Sequence, residues 1–447
     1  MVWRSKLLLA VKGFCGDIGL LKVDLKLLFR SRLLQVGVIA LALRLLVSPI
    51  SANSWDMYLW LETAQNIVLK HQVFDFYTSN PSMHYALPPV WAFYLAAIYR
   101  LHPASSSDDL AFRFLAKLPM TVSDIVVAAL AQRYVLAVTR DERKSTLAGI
   151  LWLLNPHVFF ISSIWGMPDS VCVMFLLLSI YLILTRRTTL AGLSYGLSVM
   201  TKHYSLLAYP LLLASILKRD RADFAKFLLA SVAVMSLISL PFLIYDWDDY
   251  IVSLFLHTET HFPSLSKEMS GIYQLVSILH AWKKFRVPSL ILNLGFILLA
   301  VLELLSFPLI YYSKMDQGAE LNLCCLLPSA SFVCLSLSVA PQYLVFPVVF
   351  LLIDVFLRNQ NRLSIAVSAI PFLFYVAFCG FFHPPIYYAE SVIREAADSV
   401  IGPFPLNVYI NTVISVGFFL GYATYYAKAL KAVSAGLAER IVPRQAS

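Results

Sequence analysis

Trp55-Asp56-Met57-Tyr58-Leu59-Trp60-Leu61-Glu62 opens a polar stretch that runs on through Thr63-Ala64-Gln65-Asn66 and Phe74 to Tyr77. It closes with His84-Tyr85-Ala86-Leu87-Pro88-Pro89-Val90-Trp91. The apolar run Leu33–Ile50 precedes it, and a long series of other apolar runs follows. A carboxylate just outside a first apolar span is unusual, and ionisable groups at membrane depth usually mark a pathway or a site. What surrounds this stretch decides the fold. What Asp56 is for decides the function.

The 447 residues are 59% hydrophobic and only 14% charged, with mean hydropathy +0.74. A soluble domain carries roughly 25% charged residues and could not hide so much apolar surface. The composition points to an all-α polytopic membrane protein, because lipid leaves the backbone no partner outside its own helix. The net charge of +9 would suit nucleic acid in a soluble chain. Here the basic residues sit in short clusters between apolar runs, where membrane topology puts them, so no nucleic acid is expected. The six cysteines fall mostly within apolar runs at no metal-ligand spacing and read as packing residues.

Apolar runs lie near Leu33–Ile50, Ala116–Val138, Thr146–Ser163, Ser170–Leu184, Leu190–Met200 and Ser205–Leu217. Others lie near Lys226–Ile244, Pro288–Tyr312, Leu321–Val339, Gln342–Leu357, Leu363–Phe382 and Leu406–Tyr426. At about 20 residues per crossing these give about twelve transmembrane helices, several of them short. Arg30 and Arg32, Arg140 to Lys144, Arg186-Arg187, Lys218 to Arg221, Arg358 and Arg362, and Lys428 to Arg440 all fall on one side. That side is cytoplasmic, with both termini, by the positive-inside rule. Lys283, Lys284 and Arg286 resist this pattern, in a long loop.

The expected organisation follows. Residues 1–32 form a cytoplasmic amphipathic segment, with Lys22, Lys26 and Arg30 at helical spacing and no cleavable leader. Residues 33–430 form the transmembrane domain. Its first outer loop, 51–111, carries two interfacial helices, around Tyr58–Val68 and Trp91–Leu101. Its second long outer loop is 245–287, and a basic tail occupies 431–447.

On this topology the outer face gathers Asp56, Trp165-Gly166-Met167-Pro168-Asp169, Thr201-Lys202-His203-Tyr204 and Pro341-Gln342-Tyr343. Each has a plainer reading beside the functional one. Asp56 and Asp169 could cap the helices that follow them. Lys202 could snorkel to headgroups, Glu62 could lie on a solvated face, and His203 could be packing. Gln342 and Tyr343 could be local hydrogen-bonders, and Arg44 pairs with an acid or a backbone carbonyl in the bundle. His257 and His261 stand one helical turn apart, but no third ligand accompanies them, so no metal is expected.

The order of these motifs resembles the GT-C membrane glycosyltransferases that use polyprenyl- or dolichyl-phosphate sugars, most of all the GPI mannosyltransferase I catalytic subunit and its prokaryotic relatives. Asp56-Met57-Tyr58 with Tyr85-Ala86-Leu87-Pro88-Pro89 resembles that family's first outer loop. Asn155-Pro156 with Trp165 to Asp169 resembles its Asn-Pro hairpin. Gly192 to Pro210, with Lys202 and Tyr204, resembles its Gly-x-x-x-Gly…Lys-x-Tyr element, and Pro341-Gln342-Tyr343 its late Gln-Tyr. Met167 and the spacing of Tyr85 from Pro88 depart from the pattern.

The resemblance implies inverting transfer of a hexose, mannose first, from a lipid phosphate to a glycan or glycolipid acceptor on the outer or luminal face. Asp56 would be the base. Lys202, His203 and Arg113 would hold the donor phosphate. Glu62, Tyr85, Asp169, Gln342, Tyr343 and His257 would contact substrate. No cofactor is implied; membrane lipid and a small membrane subunit are the further partners it allows. The membrane would be the plasma membrane in a prokaryote and the endoplasmic reticulum in a eukaryote. A multi-pass transporter or lipid flippase is the alternative, although no internal repeat of the kind common in transporters is visible.

Overall fold

The structure, a computed structural model, describes residues 32–77, 85–256, 289–335 and 341–358, with 400–401, 404–405 and the single positions 420, 427, 431 and 434. The N-terminal amphipathic segment, most of the second outer loop with His257, the last two expected spans and most of the basic tail lie outside the described residues.

The described residues begin with α1 (Arg32–Val47), then α2 (Ser54–Leu69) and α3 (Pro89–Leu101) in the expected first loop. The long α4 (Leu110–Thr139) and α5 (Glu142–Leu153) follow. Next comes α6 (Pro156–Phe159), which runs on as a π-helical turn, Phe160–Trp165. Then come α7 (Asp169–Leu184), α8 (Thr188–Thr201), a 3-10 turn at His203–Ala208 that leads into α9 (Tyr209–Leu217), and α10 (Arg221–Tyr245). The short α11 (Trp247–Ile251), α12 (Ser289–Tyr312), α13 (Gln317–Leu335) and α14 (Val345–Leu357) follow, and Val400–Ile401 pairs antiparallel with Phe404–Pro405.

The helix boundaries are set by side chains that satisfy the free N–H groups of the first turn. Asn53 caps α2, accepting from the amides of Trp55 (3.0 Å) and Asp56 (3.2 Å). Asp109 caps α4 at Phe112 (2.8 Å), Asp141 caps α5 at Lys144 (3.0 Å), and Asp220 caps α10. Asn155 caps α6, with Pro156 at its first position, where a missing N–H costs nothing. The chain turns by 42° between α5 and α6, so the expected span Thr146–Ser163 is a bent pair of helices.

Among the described residues, α4 and α10 are each long and apolar enough to cross a membrane, and α5 with α6 adds a third if the bent pair counts as one span. The segments Asp169–Leu184, His203–Leu217, Ile297–Tyr312 and Gln342–Leu357 are apolar but shorter. Every expected span that falls on described residues is nonetheless helical. The shortening has a cause. Asn155-Pro156, Gly166 to Pro168 and Lys202 interrupt helices at depth, which a membrane protein tolerates only where the opened backbone is buried in protein. These breaks are buried in protein and hydrogen-bonded.

Outward-facing leucines on α10, such as Leu237 at 78% exposure, present an apolar face of the kind that lipid covers. The opposite face of α10 meets α8 almost backbone to backbone. A Cβ at Gly192 would lie 2.5 Å from the Phe227 carbonyl oxygen, and one at Gly196 2.9 Å from that of Ser231. Gly192 and Gly196 are therefore the small-residue seam that lets two membrane helices touch closely.

One polar cluster closes the end of the bundle near Lys218. Glu320 is fully buried and accepts from Ser215 Oγ (2.6 Å), Ser313 Oγ (2.5 Å), Arg219 (3.3 Å) and Lys218. The candidate functional residues lie elsewhere, around the connections that follow α1, α6 and α8.

Candidate functional site

Asp56 sits in the first turn of α2, half-buried. It is not the cap of that helix: Asn53 is, three residues earlier. The carboxylate instead accepts a hydrogen bond from the indole Nε1 of Trp165, which comes from the far end of the π-helical turn. The Asn53 amide donates to the Trp165 carbonyl (3.4 Å), so the two segments are tied by backbone as well. Gly166 follows in the left-handed region, at φ +98°, and turns the chain toward Asp169.

Asp169 is not a cap either. It is the first residue of α7, it is fully buried, and it grips Lys202 Nζ with both oxygens at 2.8 and 2.7 Å. Lys202 does not snorkel. It is 2% exposed and points inward. Its ammonium also lies 4.8 Å from the centroid of the Tyr343 ring and 5.5 Å from that of Tyr204. The two rings meet edge to face at 5.8 Å. A buried cation held by a bidentate carboxylate and two aromatic faces has its charge well compensated. Gln342 is buried beside Tyr343 in the chain, with its amide oxygen unpaired.

The other expected residues are placed less tightly around this centre. His203 is half-buried next to Lys202 in the chain. Arg113 is buried but is engaged by the Ser107 carbonyl (2.8 Å) and by Asp108, at the head of α4. Glu62 is half-buried one helical turn beyond Tyr58, and its charge pushes the Tyr58 hydroxyl up from its ordinary value. Tyr85 is buried in an aromatic cluster with Phe76 (5.5 Å) and Tyr77 (5.8 Å), its hydroxyl donating to the Pro88 carbonyl (3.4 Å). Burial pushes that hydroxyl well above its ordinary value, so it stays protonated. The structure thus brings Asp169, Lys202 and Tyr343 into contact, links Asp56 to the same hairpin through Trp165, and keeps Tyr85 and Arg113 in local contacts.

Sequence reading missed two buried charges on α4. Asp124 is fully buried and accepts from Arg44 Nε (3.0 Å), Ser162 Oγ (2.6 Å) and Ser170 Oγ (2.6 Å). Arg44, expected to find an acid or a carbonyl, finds both, since it also donates to the Leu153 carbonyl (3.1 Å). Lys117 is buried among backbone carbonyls at the base of Trp165 and Gly166. The signal for both was an ionisable residue inside an apolar helix, which by itself marks a site or a network.

Among solved structures, the chain is similar to ArnT from Cupriavidus metallidurans bound to undecaprenyl phosphate. The TM-score is 0.48 and the identity 15%, over 91% of this chain and 74% of that one. It is also similar to the Archaeoglobus fulgidus oligosaccharyltransferase in the apo form, with TM-score 0.45 and 12% identity, over 90% of this chain and 56% of that one. Both likenesses are loose and carry nothing about substrate. No curated protein matches the sequence.

The family model for glycosyltransferase family 87 matches residues 85–341. That segment contains Arg113, Lys117, Asp124, Asp169 and Lys202, while Asp56 lies well before it and Gln342 and Tyr343 just after it. It agrees with the GT-C-type resemblance read from the motifs, although nothing ties the chain to GPI mannosyltransferase I in particular. Because the match takes in more than half of the sequence, the chain belongs to glycosyltransferase family 87.

Proposed function

We propose that this enzyme transfers a hexose, mannose first, from a polyprenyl- or dolichyl-phosphate donor to a glycan or glycolipid acceptor at the outer or luminal face of its membrane, with inversion. The reading rests on one arrangement. A half-buried carboxylate, Asp56, and a buried lysine–carboxylate pair, Lys202 and Asp169, hang from the two ends of the single run Trp165 to Asp169. The transporter or flippase alternative has lost its ground with the family match.

In this mechanism Asp56 takes the proton of the acceptor hydroxyl. The acceptor oxygen bonds to the anomeric carbon from the face opposite the phosphate. The anomeric C–O bond breaks, and the lipid phosphate leaves with the electron pair. A phosphate needs no strong acid to leave, so nearby positive charge is what helps it. Lys202 supplies that charge if it exchanges part of its hold on Asp169 for a phosphate oxygen, while Tyr343 and Gln342 orient the sugar. The bound lipid tail lies along the outer surface between helices, and both termini face the cytoplasm.

The test is transfer of labelled polyprenyl-phosphate mannose to candidate glycolipid acceptors by purified protein. Asp56→Asn, shown to be folded in detergent, is expected to lose on the order of 10²–10⁴-fold in turnover, the usual worth of a positioned base. Turnover retained in that variant removes Asp56 from the chemistry. Transfer of another hexose in place of mannose would correct the donor alone.

A further inference from the structure

Lys117 lies fully buried in α4, and its ammonium meets oxygen on every side. It donates to the backbone carbonyls of Ser48 (2.9 Å), Ser51, Ser163 (3.2 Å) and Ile164 (2.9 Å), with Ser51 Oγ at 3.5 Å. Among the described residues no carboxylate pairs with it. Ser48 and Ser51 follow the last turn of α1, and Ser163 and Ile164 belong to the end of the π-helical turn. The last carbonyls of a helix lack partners within it and carry its negative pole. At the end of the π-helical turn the Lys117 ammonium answers that pole, and it binds this end to the turn, residues 48–51, that follows α1.

Each of those two segments runs straight into one half of the Asp56 contact. Ser51 leads to Asn53, whose side chain holds the Asp56 amide. Ile164 leads to Trp165, whose indole holds the Asp56 carboxylate. The lysine stem also packs where no side chain fits. A Cβ at Gly166 would lie 2.8 Å from Lys117 Cε and 3.0 Å from Met57 Cε, and Met57 is the residue after Asp56.

We propose that Lys117 is a positioning residue for Asp56, its ammonium fastening together the turn after α1 and the end of the π-helical turn, the two segments from which the carboxylate and its indole partner are hung. The inference rests on the reading of Asp56 as the base. It differs from a general stabilising role in predicting a loss confined to the chemical step.

The experiment uses the full chain, purified in detergent, with labelled polyprenyl-phosphate mannose as donor. Lys117→Met keeps the stem and removes the ammonium. Its kcat is expected to fall by on the order of 10²-fold, the cost of about 1 Å of misplacement. KM for donor and acceptor should stay within about 2-fold, because the substrates' own contacts are untouched. Trp165→Phe, which deletes the indole donor, should lower kcat as well. The double variant should lose little more than the worse single one, because both act through one carboxylate.

If Lys117→Met does not fold, Lys117→Arg, which keeps a cation of different reach, enters the same cycle. Wild-type kcat in a folded Lys117 variant, a loss that appears in KM, or losses that multiply in the double variant each overturn the proposal. Asp56→Asn separates the two readings. If it retains turnover, the base assignment falls; if it is dead while the Lys117 and Trp165 effects multiply, only this inference falls.

Discussion

Two buried lysines stand at the two ends of one short hairpin, and they are held in opposite ways. Lys202 faces a carboxylate and two tyrosine rings. Lys117 faces four backbone carbonyls and one serine hydroxyl, with no charged partner among the described residues. A side-chain partner can yield: Asp169 can rotate or share its cation with an incoming anion. Backbone carbonyls of a turn and of a helix end cannot leave without moving the main chain itself. On the proposed function, the difference separates a cation that a substrate phosphate would reach from one committed to the architecture, although both are buried.

That contrast can be broken most sharply at Asp169. Asp169→Ala leaves Lys202 buried and unpaired, a change that typically costs about 3–5 kcal/mol. Thermal unfolding in detergent should show it as the largest loss of any single change at the site. Combining it with Lys202→Met should recover much of the loss, because two apolar groups in place of a buried pair are often neutral. A stable Asp169→Ala protein would mean that Lys202 reaches another anion, and the contrast with Lys117 would then disappear.

Gly166→Ala probes the other end. Its backbone sits at φ +98°, where an L side chain costs about 1–2 kcal/mol, and the new methyl would press on the Lys117 stem. The expected result is a moderate loss of stability with a larger fall in turnover, measured on the same preparation. Equal activity per folded molecule would show that the Lys117 end tolerates displacement.

The smallest effect belongs to Asp109, at the head of the helix that carries Lys117. The hydrogen bond from the Phe112 amide holds its carboxyl below the usual carboxylate range, and His102 adds to this. The folded form therefore favours the ionised state. The resulting stability is complete above the unfolded value, about 3.9, and is lost as pH falls through the lower folded value. Asp109→Ala should cost about 1 kcal/mol as a lost cap, and the difference from wild type should shrink when unfolding is followed below that pH. An unchanged difference at low pH would show that the cap works without its charge.

Much of this was legible in residue order. The pattern of apolar runs and basic clusters named a membrane fold, and Asp169, Lys202 and Tyr343 were singled out as polar punctuation between spans before they were found in contact. Their pairing was not legible, because it depends on how α7 and the turn after α8 meet. Asp56 and Asp169 looked like caps because each precedes an apolar helix. Asn53 had the better claim for α2, while Asp169 was drawn away by a buried lysine. Lys117 and Asp124 were absorbed into an apolar run. Seven residues apart, they share a face of α4, and what that face meets is a matter of packing rather than of pattern. His257 and the last two expected spans fall outside the described residues.

The run Trp165 to Asp169 also works as a ruler. Four peptide units, even if fully drawn out, span no more than about 14 Å, and a left-handed glycine makes this one shorter. Trp165, which holds Asp56, and Asp169, which holds Lys202, are therefore joined by a tether that cannot stretch beyond that length. On the proposed function, a reacting sugar would have to fit between groups whose anchors are at most that far apart, and a donor or acceptor of too great a girth would be excluded by that limit alone.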